Sequence, residues 1–310
     1  MVSIDLPTQI ETLSEEQYAY ALLTPALLFV TVVAFWPILW TAWLSLHTGT
    51  GGLVFQEFVG LDNYIGIFTG DILIDHPFFD VSSPFESVIL VTLIFTFGAV
   101  ILTMAIGFVQ ALILNKSFRG RGVLRVLILL PWAVPIAIQG MIFNLMFTGG
   151  VGVGTEWLST LGIENADVPL VYSRESMLII ILAEIWKQSA FVAIIVLAGL
   201  QSIDRSLYQV GDVSGASRWQ KFRTITFPLV LPALFIALLF RTIESLRVYG
   251  LIESVSSCSD VPSLACVVVE EFQIANYAIS ATLAMVLAVL VAAVVSVYLV
   301  NFANINIGGK

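Results

Sequence analysis

Apolar residues in this chain gather into long blocks separated by short polar connections, with no sustained period-two alternation. Residues 17–56, 87–115, 126–155 and 272–309 contain no Asp, Glu, Lys or Arg. Each block exceeds the roughly 20 residues a helix needs to cross a bilayer. Two further apolar blocks, 176–203 and 227–251, are long enough but carry charges: Glu184 and Lys187 in one, Arg241, Glu244 and Arg247 in the other. Counting both, the pattern predicts six spans, at about 18–46, 86–114, 124–147, 176–200, 228–251 and 276–303. Tails at 1–17 and 304–310 flank them, and a polar segment, 201–227, joins the fourth span to the fifth.

Only helices and closed barrels satisfy every backbone polar group in hydrocarbon, and a barrel needs short strands of alternating polarity. The expected fold class is therefore all-α, a polytopic bundle. A hydrophobic content of 58%, a charged content of 11% and a mean hydropathy of +0.97 exclude a water-soluble enzyme or a nucleic-acid binder. Membrane lipid is the first partner implied.

Charge orients the bundle, because loops rich in Lys and Arg stay on the cytoplasmic side. Lys116, Arg119, Arg121 and Arg125 follow the second span, and Arg205, Arg218, Lys221 and Arg223 follow the fourth. Both termini are then expected inside, with mostly acidic loops outside. The N-terminal tail, with Asp5, Glu11, Glu15 and Glu16, lacks the basic start of a cleavable leader, so the first span is expected to remain. The net charge of -9 fits either an acidic outer face or a host of high ionic strength. Cys258 and Cys266 share one predicted outer loop, where a disulfide and two free thiols are both open. The two histidines, His47 and His76, sit in no metal-binding or catalytic spacing, so neither a catalytic residue nor a metal is expected.

The polar segment is the most informative stretch. Ser217, Arg218, Trp219 and Gln220 fit a capping box that starts a short helix. Gly215 stands where a left-handed residue would end a preceding helix over 207–213, so the segment reads as helix, glycine turn, helix. Trp219, Phe222 and Ile225 recur every third position among Arg218, Lys221 and Arg223. By pattern alone this is either an amphipathic helix on anionic lipid or a docking surface for a partner.

Spacing favours the second. Gln209, Val210 and Gly211, then Gly215, Ile225 and Pro228, resemble the cytoplasmic loop motif of permeases of binding-protein-dependent ABC importers, written Glu-Ala-Ala, Gly, Ile and Leu-Pro. Gly215, Ile225 and Pro228 match; Gln209, Val210, Gly211, Ser214 and Phe227 depart from it. Gly215, Ala216 and Ser217 with Trp219 are similar to the carbohydrate branch, as are Phe35, Trp36 and Pro37, residues 58–64, Pro131 with Pro135, and Phe240, Arg241 and Thr242. The resemblance implies one permease subunit with a coupling helix contributed by Gln209, Val210, Gly211, Asp212, Gly215, Ala216, Ser217, Ile225 and Pro228. It also implies a second permease, a solute-binding protein outside and a cytoplasmic ATPase dimer. No phosphate-binding loop of the form G-x-x-x-x-G-K-[ST] occurs in the chain, so ATP and Mg belong on that partner.

Ionisable residues within spans usually face a polar interior. Glu184, Lys187, Arg241, Glu244 and Arg247, with Trp132, Trp186 and Tyr249 as flat faces, are the expected lining for a sugar of the trehalose, maltose or glucose class. Alternatively the charges neutralise one another, within each helix or between helices. An ion-coupled transporter using Glu184 or Glu244 is the competing function, and an intramembrane enzyme a weaker one.

Overall fold

The computed structural model describes residues 14–49, 57–72 and 74–307. The acidic N-terminal tail up to residue 13 and the last three residues lie outside them. The fold is built of α1 (Glu15–Val30), α2 (Trp36–Ser45), α3 (Asp62–Thr69), α4 (Val88–Asn115), α5 (Arg121–Ala133), α6 (Ile136–Phe147) and α7 (Val153–Thr160), followed by α8 (Ser173–Gln201), α9 (Arg205–Val213), α10 (Arg218–Lys221), α11 (Phe227–Leu246), α12 (Gly250–Val255), α13 (Leu264–Gln273) and α14 (Tyr277–Ile307).

Five continuous helical segments are long and apolar enough to cross a membrane, and α5 with α6 forms a sixth, broken crossing. Asn115, Lys116, Arg121, Gln201, Arg205 and Tyr208 border one cavity, so α4 and α8 end together at the basic end of the bundle. At the other end α6 reaches α12, where Asn144 Nδ2 donates to the Val255 carbonyl at 2.8 Å. The chain must cross between those points, and α5 and α6 carry it. Ser45 lies at the same acidic end, its carbonyl accepting from Asn63 Nδ2 at 2.9 Å and from Thr282 Oγ1 at 3.3 Å. The first and last spans therefore both have their free ends on the basic side.

Two expectations need correcting. The third span is not one helix over 124–147: α5 and α6 meet at a 94° bend. Pro131 and Pro135 flank that break, and Pro135, with φ -57° and ψ 144°, opens α6 from an extended backbone. The fifth span is displaced from 228–251. It starts at Arg218, runs through a π turn at Phe222–Thr226 and ends at Leu246, with α12 a separate short helix. The helix expected to begin after Ser217 does begin there, as α10, and runs on into the span. A second π turn, Thr31–Phe35, joins α1 to α2. Each π turn ends two residues before a proline, Pro37 or Pro228, whose missing N–H and bulky ring disturb the regular ladder there.

The core follows α8, two thirds of whose apolar window is buried, whereas none of the first span's is. Val91, Phe95 and Ala99 of α4 pack with Phe143, Ile180 and Ile252 toward the acidic end. Ala111 and Leu114 pack with Val192, Val196 and Val230 toward the basic end. A third cluster, with Ile67, Val88, Leu264 and Leu283, closes the acidic end around α3, α13 and α14. Cys258 and Cys266 form a disulfide there with a Cα separation of 5.4 Å, both cysteines buried. α6 crosses α12 so closely that a Cβ on Gly140 would lie 2.0 Å from the Ser254 Cβ and 2.8 Å from its carbonyl carbon, so only glycine fits.

Candidate functional site

A polar belt crosses the bundle between the two apolar clusters that share α8. Arg241 is its centre, with a side chain of 0% exposure. Arg241 Nη2 donates to Glu184 Oε1 at 2.6 Å and to Ser245 Oγ at 3.1 Å, while Nη1 donates to Glu244 Oε2 at 2.7 Å. One guanidinium thus holds two carboxylates, one from its own helix and one from α8, and its buried Nε has no partner. A buried charge is tolerated only when it is paired and hydrogen-bonded, and Arg241 meets both conditions by joining two spans.

Glu184 and Lys187, three apart on α8, do not neutralise each other directly. Lys187 Nζ donates instead to the Val134 carbonyl at 2.7 Å, inside the break between α5 and α6. That carbonyl is free because the helix stops at Ala133. Gln139 Nε2, one turn further along, donates to the Ala183 carbonyl at 2.5 Å. The break is therefore stitched to α8 on both sides.

Beside this network lies a cavity of about 360 Å³. Glu184, Lys187, Glu244 and Arg247 line it with Tyr249, as do Gln139 and Gln188. The chemistry is that of a site for hydroxyl groups: carboxylate acceptors, cationic and amide donors, and one phenol. Trp132 and Trp186 are not among the lining residues. Trp132 stacks on Phe191 at 6.4 Å, and Trp186 tilts against Phe143 at 5.9 Å. Sequence reasoning missed Gln139, Gln188 and Ser245. Gln139 carried a signal, one of two amides, with Asn144, in an otherwise apolar helix, and Ser245 another, one turn beyond Arg241 on the same face.

The second candidate region is the polar segment at the basic end. Asp204 caps α9, its Oδ1 accepting from the Ser206 N–H at 2.9 Å, and this holds its carboxyl below the usual carboxylate range. α9 ends in a Schellman motif: Gly215 has φ +71°, its N–H donates to the Asp212 carbonyl at 3.1 Å, and the Ala216 N–H reaches the Gly211 carbonyl at 2.9 Å. Ser217 and Gln220 then exchange the two hydrogen bonds of the capping box, at 3.3 and 2.7 Å. Lys221 pairs with Asp212 across the turn, closing it from outside. Tyr208 and Thr226 share a 2.9 Å hydrogen bond on the inner side, and Ile225 packs against the basic-end cluster. Gln209, Ser217 and Pro228 are exposed, as are Val210 at 65%, Val213 at 91% and Trp219 at 68%. The turn is closed by its own hydrogen bonds, and among the described residues its apolar tips stay largely uncovered, with Trp219 stacked only on Phe222 at 5.4 Å.

The description "binding-protein-dependent transport system inner membrane component" matches residues 103–304, which include α8 through α13 and the whole of this segment. The chain belongs to that family. It is a multi-pass membrane permease and not an enzyme. Among its relatives, the trehalose/maltose transport system permease protein of Thermococcus litoralis is 32% identical over 92% of this chain and 93% of its own length. The sulfoquinovosyl glycerol transport system permease protein of Agrobacterium fabrum is 36% identical over 77% of this chain and 74% of its own. A bacterial ABC transporter involved in the import of the acidic polysaccharide alginate has the same fold, with a TM-score of 0.73 at 20% identity, over 92% of this chain and 95% of that one. An ion-coupled transporter finds no support among these relatives.

Proposed function

We propose that this permease is one half of the membrane channel of an ABC sugar importer and passes a sugar of the trehalose, maltose or glucose class through the polar cavity beside Arg241. ATP hydrolysis, with its Mg, falls to a separate cytoplasmic ATPase dimer, and a second permease completes the channel. The observation that carries the reading is the single helical path Arg218–Leu246. It starts in the glycine-turn segment and ends in the charge belt, a path 29 residues long that spans roughly 40 Å. Movement of the ATPase against the coupling segment tilts this lever, and the belt of Glu184, Arg241 and Glu244 moves with it. Coupling between two membrane faces needs such an element with two arrangements. The basic end then faces the cytoplasm with both termini. The acidic, disulfide-bearing end faces outside, where such a bond persists and where a solute-binding protein delivers its cargo.

The lining and the trehalose/maltose relative support this choice of substrate class. Lys187 is committed to a carbonyl, and Glu184 and one oxygen of Glu244 to Arg241, which leaves the other Glu244 oxygen with Arg247, Tyr249 and Gln188 as acceptors and donors for a neutral polyol. The test is uptake of labelled sugars into proteoliposomes holding the full assembly and its binding protein. ATP-driven uptake of one neutral sugar, reduced at least tenfold in Glu244→Gln, is the expected outcome. Uptake that follows a proton or sodium gradient without ATP contradicts the proposal.

A further inference from the structure

At the basic end, a cavity of about 710 Å³ opens between the loop that follows α4 and the start of α9. Lys116, Arg121 and Arg205 line it together with Ser117 and Tyr208, and no carboxylate does. None of the three cations enters an ion pair among the described residues. Arg121 Nε is buried there without a hydrogen-bond partner. The nearest acid in sequence, Asp204, is committed to capping the Ser206 N–H. Helix ends do not cancel the charge. The C-termini of α4 and α8 each bring about half a negative charge, and the N-termini of α5 and α9 return the same amount of positive charge. No side chain caps the first turn of α5, so its backbone N–H groups add donors for an anion.

We propose that this cavity holds the phosphate of an anionic lipid headgroup. Its position decides for a lipid over a soluble anion. The cavity sits where α4 and α8 end, at the depth of the headgroups, and the same helix that supplies Arg121 leaves Val123, Val126 and Leu127 exposed for acyl chains. Phosphate oxygens accept from the guanidinium groups of Arg121 and Arg205 and from Lys116, with the Ser117 hydroxyl as a further donor. The site is separate from the sugar cavity and does not rest on the choice of substrate. Because Tyr208 also bonds Thr226 in the lever helix, the headgroup would rest against the coupling segment itself.

Native mass spectrometry of the full assembly tests this with phosphatidylglycerol titrated against phosphatidylcholine of the same acyl chains. The expected result is a clear preference of the parent for the anionic lipid, lost by roughly 5-fold for each of Lys116→Gln, Arg121→Gln and Arg205→Gln and on the order of 100-fold for all three together. Arg223→Gln, an exposed cation at the same end but outside the cavity, should change it less than about 2-fold. Equal loss in Arg223→Gln, no loss in the triple variant, or full displacement by millimolar inorganic phosphate overturns the proposal. Should the triple variant fail to assemble, hydrogen exchange of the parent in nanodiscs decides. Slower exchange over 115–121 and 200–208 on adding phosphatidylglycerol supports a bound headgroup, and unchanged exchange contradicts it.

Discussion

Two ion-paired regions of this permease have similar chemistry and opposite surroundings. Lys221 and Asp212 close the glycine turn with side chains 18% and 64% exposed. Arg241 and Glu184 join two spans with side chains 0% and 9% exposed. In water the first pair gains little, because screening and side-chain entropy offset the attraction. Inside the bundle, losing Arg241 strands Glu184 where solvent hardly reaches it, and losing Glu184 leaves the buried guanidinium to Glu244 alone among the carboxylates of the described residues. The turn gets its rigidity from backbone geometry, and its ion pair is a minor addition. The belt gets its rigidity from the ion pair, because α8 and α11 share no backbone hydrogen bonds at that level.

Substitutions that separate these two roles have effects of very different size. Arg241→Met should destabilise the assembled permease by about 3–5 kcal/mol, read as a lowered Tm or lost yield, because Glu184 and Glu244 lose their common partner. Adding Glu184→Leu should recover much of that loss, as expected where an uncompensated charge is the cause. Gly140→Ala should cost about 1–3 kcal/mol by overpacking α6 against α12. Ser254→Gly should not rescue it, since the Ser254 backbone itself lies 2.8 Å from the added Cβ. Lys221→Ala should shift stability by less than about 1 kcal/mol, in keeping with an exposed pair. A cost as large as that of Arg241→Met would end the distinction between the regions.

The smallest effect concerns the acidic end. Burial pushes Glu270 and Glu271 above the usual carboxylate range, with Asp75 adding repulsion to both. Each therefore binds protons more readily folded than unfolded. The stability this gives is fully present at low pH and is lost as pH rises from the ordinary carboxylate value through the raised one. Thermal unfolding followed over that interval should show a falling midpoint, and Glu270→Gln with Glu271→Gln should flatten it.

Much of this architecture was legible in the chain. Charge-free blocks located the spans because hydrocarbon tolerates little else. Ser217 with Gln220 and Gly215 located the turn because caps and left-handed positions demand those residue types. The break at Val134 was legible only as a pair of prolines, since a 94° bend depends on what receives the freed carbonyl, and that receiver, Lys187, is 53 residues away. That Trp132 and Trp186 lie off the cavity was not legible: Trp132 stands in an apolar run with no period, and Trp186 adjoins Lys187 and Gln188, which do line it. Glu184 and Lys187 looked self-sufficient at their spacing, and only the packed bundle shows that each bonds to another helix.

The central claim is that the glycine turn passes force from the ATPase into the lever helix. It is tested most directly by ATPase activity of the purified assembly in nanodiscs, with and without sugar-loaded binding protein, comparing the parent with Gly215→Pro. Proline is held near φ -65° and carries no N–H, so it fits neither the +71° backbone nor the Gly215 to Asp212 hydrogen bond. The account predicts that the variant assembles and keeps its basal hydrolysis but loses stimulation by the loaded binding protein. Full stimulation in Gly215→Pro would contradict it.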